Sequence, residues 1–296
     1  MESDSLGHAP AERPLTYPGR PVTAPALLSG HTLTPLTPVP GEPLGAWRVA
    51  TGAAGQPVLD AVLTGLGSAT AGRRHPVVAV GSNASPAQLH HKLARRGLPT
   101  TVPMVPVRVR GIGVGCSGHI GRHGYVAAAP YAEPGAELTL VISWLDTAQL
   151  REVDRTEFNY RRALLPGARF PMLMPSGEAL GGAYLYVSLH GVLTDTADGR
   201  PLPGGGDQRA LLTRLLTSSP ALRELLGPGP ESWVDRARAD EAVRHEGKRI
   251  FREHGWVLTD SGFPDPDGVA DETPVTPRAY ADLSAPRDGT PYPPVA

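Results

Sequence analysis

The sequence predicts an α+β fold, and three observations carry that prediction. Residues 77–80 form a short apolar run that ends in Gly81-Ser82-Asn83 and passes through Ser85-Pro86 into an amphipathic segment. That order reads as strand, tight loop and helix start. Residues 138–145 are a near-continuous apolar run, the pattern of a strand buried on both faces. Asp146 or Thr147 then opens a short helix with Leu150 and Val153 on its apolar side. Further strand-like segments lie at 102–115, 123–129, 158–165, 169–174 and 180–189, with few helical periods among them.

The 33 prolines and 35 glycines mark the boundaries. Residues 1–75 read as a Pro/Gly-rich extension: 1–45 hold no sustained period and are expected to be irregular, and 56–66 form a short helix with Val58, Leu59, Val62 and Leu63 on one face. A central domain spans 76–190. Near its start Ser85 is the expected N-cap, with Pro86 in the first turn where no amide hydrogen is needed. Leu89 and Leu93 then lie four apart, His90 and His91 face solvent, and Gly97 ends the helix. Residues 191–256 read as a loop followed by a helical appendage. Asp207 caps one helix to about Leu216, Ser219-Pro220 starts another, and a third runs from Glu231 to His254 until Gly255 stops it. Residues 257–296 form a Pro-rich tail, and no internal repeat is present.

Composition narrows the function classes. The 28 basic and 29 acidic residues nearly balance, so nothing suggests a nucleic-acid or membrane partner. The single cysteine, Cys116, excludes an internal disulfide framework and fits a reducing compartment. The first residues lack a basic patch and apolar run, and no segment approaches the roughly 20 apolar residues of a membrane helix. A cytoplasmic protein is expected; its oligomeric state is not legible.

Two places invite chemistry. Main-chain amides gathered at 81–84, beside the positive end of a helix, offer a seat for a carboxylate or a developing oxyanion. Glu157 sits where a helix gives way to an aromatic-bearing strand. Each has a plain structural alternative: Glu157 as a surface acid paired with Arg161 or Arg162, and Ser82 and Asn83 as turn formers. Arg108, Arg110 and Arg122 are candidate cations for a substrate carboxylate. Cys116, His119 and His123 have metal-like spacing, but six glycines surround them and no second cysteine exists, so a hairpin tip and no metal is the reading. Ser82 lacks the Gly-x-Ser-x-Gly signature of a hydrolytic nucleophile.

Gly81-Ser82-Asn83, then Tyr125-Val126-Ala127-Ala128-Ala129-Pro130, Pro134-Gly135-Ala136-Glu137 and Val153-Asp154-Arg155-Thr156-Glu157 follow one another in an order and spacing that resembles the gamma-glutamylcyclotransferase-like family. The resemblance covers residues 76–190. It implies a small mixed β-barrel with flanking helices and irregular terminal extensions. It implies a transferase or lyase that cyclises a small γ-glutamyl amide to 5-oxoproline, releasing an amine or amino acid without a cofactor. Glu157 would be the general acid/base, its pKa raised by burial beside walls such as Phe158. Gly81, Ser82, Asn83 and Ala84 would bind substrate, with Tyr160 and Tyr125 orienting it. The chain departs from the family at Val80, where an aromatic is usual, and at Ala84, where leucine is usual. The alternative is a catalytically silent ligand-binding or protein-interaction module of the same fold.

Overall fold

A computed structural model describes residues 6–52, 55–195, 198–263 and 277–283. Most of the 257–296 tail therefore lies outside the described residues. The N-terminal region contributes β1 (Ala26–Ser29), β2 (Thr32–Thr37), β3 (Arg48–Val49) and α1 (Leu59–Gly65). The central region follows with β4 (His75–Ala79), α2 (Pro86–Ala94), β5 (Val102–Cys116), β6 (Ala128–Leu145), α3 (Thr147–Thr156), β7 (Tyr160–Pro166), β8 (Met172–Leu173) and β9 (Gly182–Ser188). A two-stranded ladder of β10 (Val192–Leu193) and β11 (Val257–Leu258) brackets α4 (Gln208–Ser218), α5 (Pro220–Leu226), α6 (Pro230–Ala239) and α7 (Glu241–Glu253). Among the described residues no helix is long and apolar enough to cross a membrane.

The architecture is mixed α+β, built on one nine-stranded sheet in the order β3-β2-β1-β5-β6-β4-β9-β7, with β8 also paired to β5. The expected barrel does not form. Closure would require β7 to meet the outer edge of β5, and that edge is occupied by β1 along 102–104 and by β8 along 108–109. The N-terminal segment, expected to be irregular, is thus partly sheet.

Elements form where local chemistry asks for them, with three adjustments. Residues 128–145 are one 18-residue strand rather than two, and Pro134-Gly135-Ala136 makes no separating turn. It falls where the β5–β6 register jumps between Arg110 opposite Glu137 and Ile112 opposite Ala132. Gly111 sits in that jump at φ +82°, a left-handed position that suits glycine in a bulge. Asp146 caps α3, its carboxylate accepting from the amides of Ala148 and Gln149, both at 2.9 Å. The run from Glu231 to His254 is broken at Asp240, which caps α7 by accepting from the Ala242 amide. Ser85 occupies the N-cap of α2, yet its buried hydroxyl bonds no amide there.

Among the described residues the apolar side chains gather in three large clusters and a small fourth of Tyr17, Ala127 and Ala128. One lies on one face of the sheet around Trp47, Trp144, Ile142 and Leu185. A second joins α2 and α3 to the sheet through Leu89, Leu93, Leu150 and Val153. The third is the core of the helical appendage, around Trp233, Leu222 and Phe251.

Candidate functional site

The loop after β4 makes a single 3₁₀ turn over Ser82–Ala84 before Pro86 opens α2. The Ala84 amide turns back to the Gly81 carbonyl at 3.0 Å. Among the described residues, the amides of Gly81, Ser82 and Asn83 have no main-chain acceptor. Residue 157 ends α3 at its C-cap, and β7 begins just beyond it. Because α2 and α3 pack together, the two motifs meet. The Asn83 side-chain amide donates to Glu157 Oε1 at 3.0 Å. Lys92, on α2, donates to the same oxygen at 2.6 Å and to Asn83 Oδ1 at 2.8 Å. The three side chains close a triangle in which Lys92 is only 9% and Glu157 15% exposed. Both contacts use Oε1; Oε2 has no protein hydrogen bond among the described residues.

The triangle borders a cavity of about 360 Å³, also lined by Gly81, Ser82, Tyr125 and Tyr160. Of the predicted acid, loop residues and tyrosines, the structure therefore gathers all except Ala84, which is absent from the lining and packs with the α2–α3 cluster. Glu157 pairs with neither Arg161 nor Arg162; the latter is held by Asp154 at 2.7 Å. Phe158 does not shield the acid, since its side chain is largely exposed. The uncharged wall is made by tyrosines instead. Tyr160 donates to the Ala128 carbonyl at 3.0 Å, and the Ala128 amide donates to Tyr17 Oη at 2.7 Å. Tyr17 stacks on Tyr125 with ring centroids 4.4 Å apart. Burial, with the Glu157 charge adding to it, pushes the phenol pKa of all three above its usual range, so they stay protonated hydrogen-bonding groups.

Two of these contributors escaped the sequence reading. Lys92 had a usable signal: it lies one helical turn from Gln88 and Leu89, both buried, where a freely solvated lysine is out of place. Tyr17 had none, because its partners are distant in sequence and its own segment has no period.

The rim is cationic. Glu152 is already engaged by Arg155 at 2.7 Å and Arg96 at 3.4 Å, whereas Arg95 and Arg122 have no carboxylate partner among the described residues. Arg122 donates to His123 at 3.2 Å. Burial first, then Arg122, lowers the His123 pKa to about 4, so the ring is neutral at pH 7. Arg108 and Arg110 instead pair with Glu137 on the strands. His91 meets Glu12 of the N-terminal arm at 3.5 Å and His90 lies against His31, so neither is the solvated histidine expected. His119 lines the cavity with its Nδ1 2.6 Å from Ser117 Oγ. Cys116 is buried beside a second cavity.

No protein-family model matches the sequence, and no curated protein matches it either. Among solved structures the chain is distantly similar to a gamma-glutamyl cyclotransferase, at 15% identity and a TM-score of 0.31, over 38% of this chain and 66% of that one. It thus spans just under two thirds of that structure's length. It is also similar to two Arabidopsis thaliana proteins solved in solution. One is 18% identical with a TM-score of 0.32 over 49% of this chain and 78% of that one. The other is 14% identical with a TM-score of 0.32 over 53% and 95%.

Proposed function

We propose that the chain is a cyclising lyase of the gamma-glutamyl cyclotransferase type, converting a small γ-glutamyl amide to 5-oxoproline and a free amine or amino acid. One observation carries this reading: the Glu157 carboxylate and the Asn83 loop, drawn from separate motifs, are joined by a 3.0 Å hydrogen bond at one cavity.

The chemistry needs no outside reactant, because nucleophile and electrophile share one molecule. The substrate α-ammonium gives a proton to Glu157 Oε2, the oxygen free of protein partners. The amine nitrogen then bonds to the γ-carbonyl carbon, and the carbonyl electrons collect on oxygen. The amides of Gly81, Ser82 and Asn83 are the donors available for that oxyanion. As the intermediate collapses, the leaving nitrogen takes the proton held by Glu157 and its bond to carbon breaks. The ring nitrogen then gives its second proton to the freed carboxylate, which passes it to the departing amine. Folding the substrate so that its ends meet supplies much of the acceleration, since well-oriented ring closures reach effective molarities of roughly 10⁵ M and above. Lys92 and Asn83 fix the carboxylate by Oε1 and leave its other oxygen to work. Arg95 and Arg122 at the rim attract a substrate carboxylate, an effect that salt screens.

The test is 5-oxoproline release from a panel of γ-glutamyl amines and γ-glutamyl amino acids. Glu157→Gln, which keeps the shape and removes the base, lowers kcat/KM by roughly 10³-fold, within the usual range for a general base. Equal release by both proteins overturns the assignment. The 2.6 Å contact of the Lys92 ammonium favours a second reading, a module that binds γ-glutamyl compounds without turning them over. Saturable binding with no 5-oxoproline from any substrate identifies it.

A further inference from the structure

Behind the cavity lies a second one of about 230 Å³, between the end of β5, the 202–206 loop and α4. Its lining is mainly apolar and includes Val126, Leu202, Pro203 and Leu211; Arg214 at its edge is already held by Asp195 at 2.5 Å. The two cavities share Tyr17 and Ala128. Ala128 is a small residue fixed in the sheet opposite Cys116. The Tyr17 ring is therefore the part of the partition that fills space.

From this arrangement we infer that Tyr17 is a specificity-determining residue: it is the wall that limits how long a leaving amine the site accepts. The inference rests on the cyclising reading above and names which substrates it selects. The charged groups of a γ-glutamyl compound belong with Glu157 and the exposed arginines of the rim. Its uncharged amide end then points inward, toward the tyrosines. With Tyr17 in place that end meets a buried ring. Without the ring it enters an apolar chamber suited to an alkyl chain.

Three features hold the tyrosine as a fixed wall. Its hydroxyl accepts from the Ala128 amide, and its ring stacks on Tyr125. Gly81 makes room for it: a Cβ built there would lie 2.3 Å from Tyr17 Oη. The arm that brings it is anchored independently on both sides. The Ala11 amide donates to Gln88 Oε1 at 3.2 Å, the Val22 amide donates to the Ala84 carbonyl at 3.3 Å, and Leu6 and Val22 pack with Leu89 and Leu93. A smaller residue 17 leaves that anchorage intact.

The experiment uses the full-length chain and γ-glutamyl n-alkylamides of one, three and six carbons. Each is measured for binding by calorimetry and for 5-oxoproline release, with wild type, Tyr17→Phe and Tyr17→Ala. Each methylene buried is worth about a factor of four in affinity, so a chain that gains the second chamber shows a steep gain with length. Wild type and Tyr17→Phe lose at least tenfold in kcat/KM from the methyl to the hexyl amide. In Tyr17→Ala the order reverses, and the hexylamide becomes the better substrate by about tenfold. Tyr17→Leu replaces the alanine variant should that one not fold, with a smaller change in the same direction. An unaltered length profile in the folded variant overturns the inference while leaving the cyclising reading standing. A reversed profile in binding with no 5-oxoproline from any protein supports the partition and removes the cyclising reading. Absence of binding and of turnover for every amide removes both.

Discussion

Residues 6–49 and residues 208–253 both pack against the central strands, touch each other at Leu15, and each borders a cavity, yet they are ordered by opposite means. The four helices of the second region close on one another, with Trp233, Leu222 and Phe251 fully buried among them and Asp207, Ser219 and Asp240 capping the starts. The first region has no core of its own. Ala26 to Leu28 become strand by pairing with 102–104, Trp47 and Leu44 fill a space under the large sheet, and Tyr17 is received by Gly81 and Ala128. Order generated within a segment differs from order lent by a surface already built, and only the first kind leaves a periodic trace in the residues.

That difference has measurable consequences. The largest comes from matched truncations, Trp47→Ala and Trp233→Ala, each removing a fully buried indole and costing roughly 3–5 kcal/mol. Urea unfolding gives the loss. Hydrogen exchange then separates the two: Trp233→Ala raises exchange in α4–α7 and spares β4–β6, whereas Trp47→Ala raises exchange throughout the sheet. Uniform loosening by both variants contradicts the contrast drawn above.

A smaller effect appears at the seam between sheet and appendage. The buried His119 ring lies against His190, 4.5 Å between centroids, and both feel the charge of Lys248 on α7. Burial, ahead of these neighbours, lowers the His119 pKa to about 3 and that of His190 to about 4. In the unfolded chain the same rings take protons near 6.5. Between those values the unfolded state binds more protons, so stability is full above about pH 6.5 and falls as the solution is acidified toward pH 3–4. Melting curves across that window show the loss, and His119→Gln flattens part of it. An unchanged slope in the variant contradicts the assignment. Smallest of all, Asp207→Ala removes the α4 cap and costs about 1 kcal/mol. A fall of that size in urea stability with kcat per folded molecule unchanged is the expected outcome. A matching loss of activity would tie the appendage to the chemistry.

The Glu157 junction and the Gly81-Ser82-Asn83 loop were legible because strand, loop and cap signals are local. So were α3 to α5, whose caps fall at Asp146, Asp207 and Ser219. The break at Asp240 was hidden by charges that keep a helical period straight across it. The continuity of β6 was hidden by Pro134-Gly135, a turn signal that the structure absorbs as a register jump. The open sheet was not legible, since it depends on β1 reaching the edge of β5. Lys92 belongs to an intermediate class: its position on the buried face of α2 was readable, but its partner, at the far end of α3, was not.

The void left by the missing side chain of Gly81 carries a lesson in heredity. An alanine there collides with a phenol delivered from near the N-terminus, and a shorter residue 17 relieves the collision. A lineage therefore keeps that glycine as long as it keeps the phenol oxygen, and a phenylalanine at 17 frees the position while retaining the ring between the two chambers.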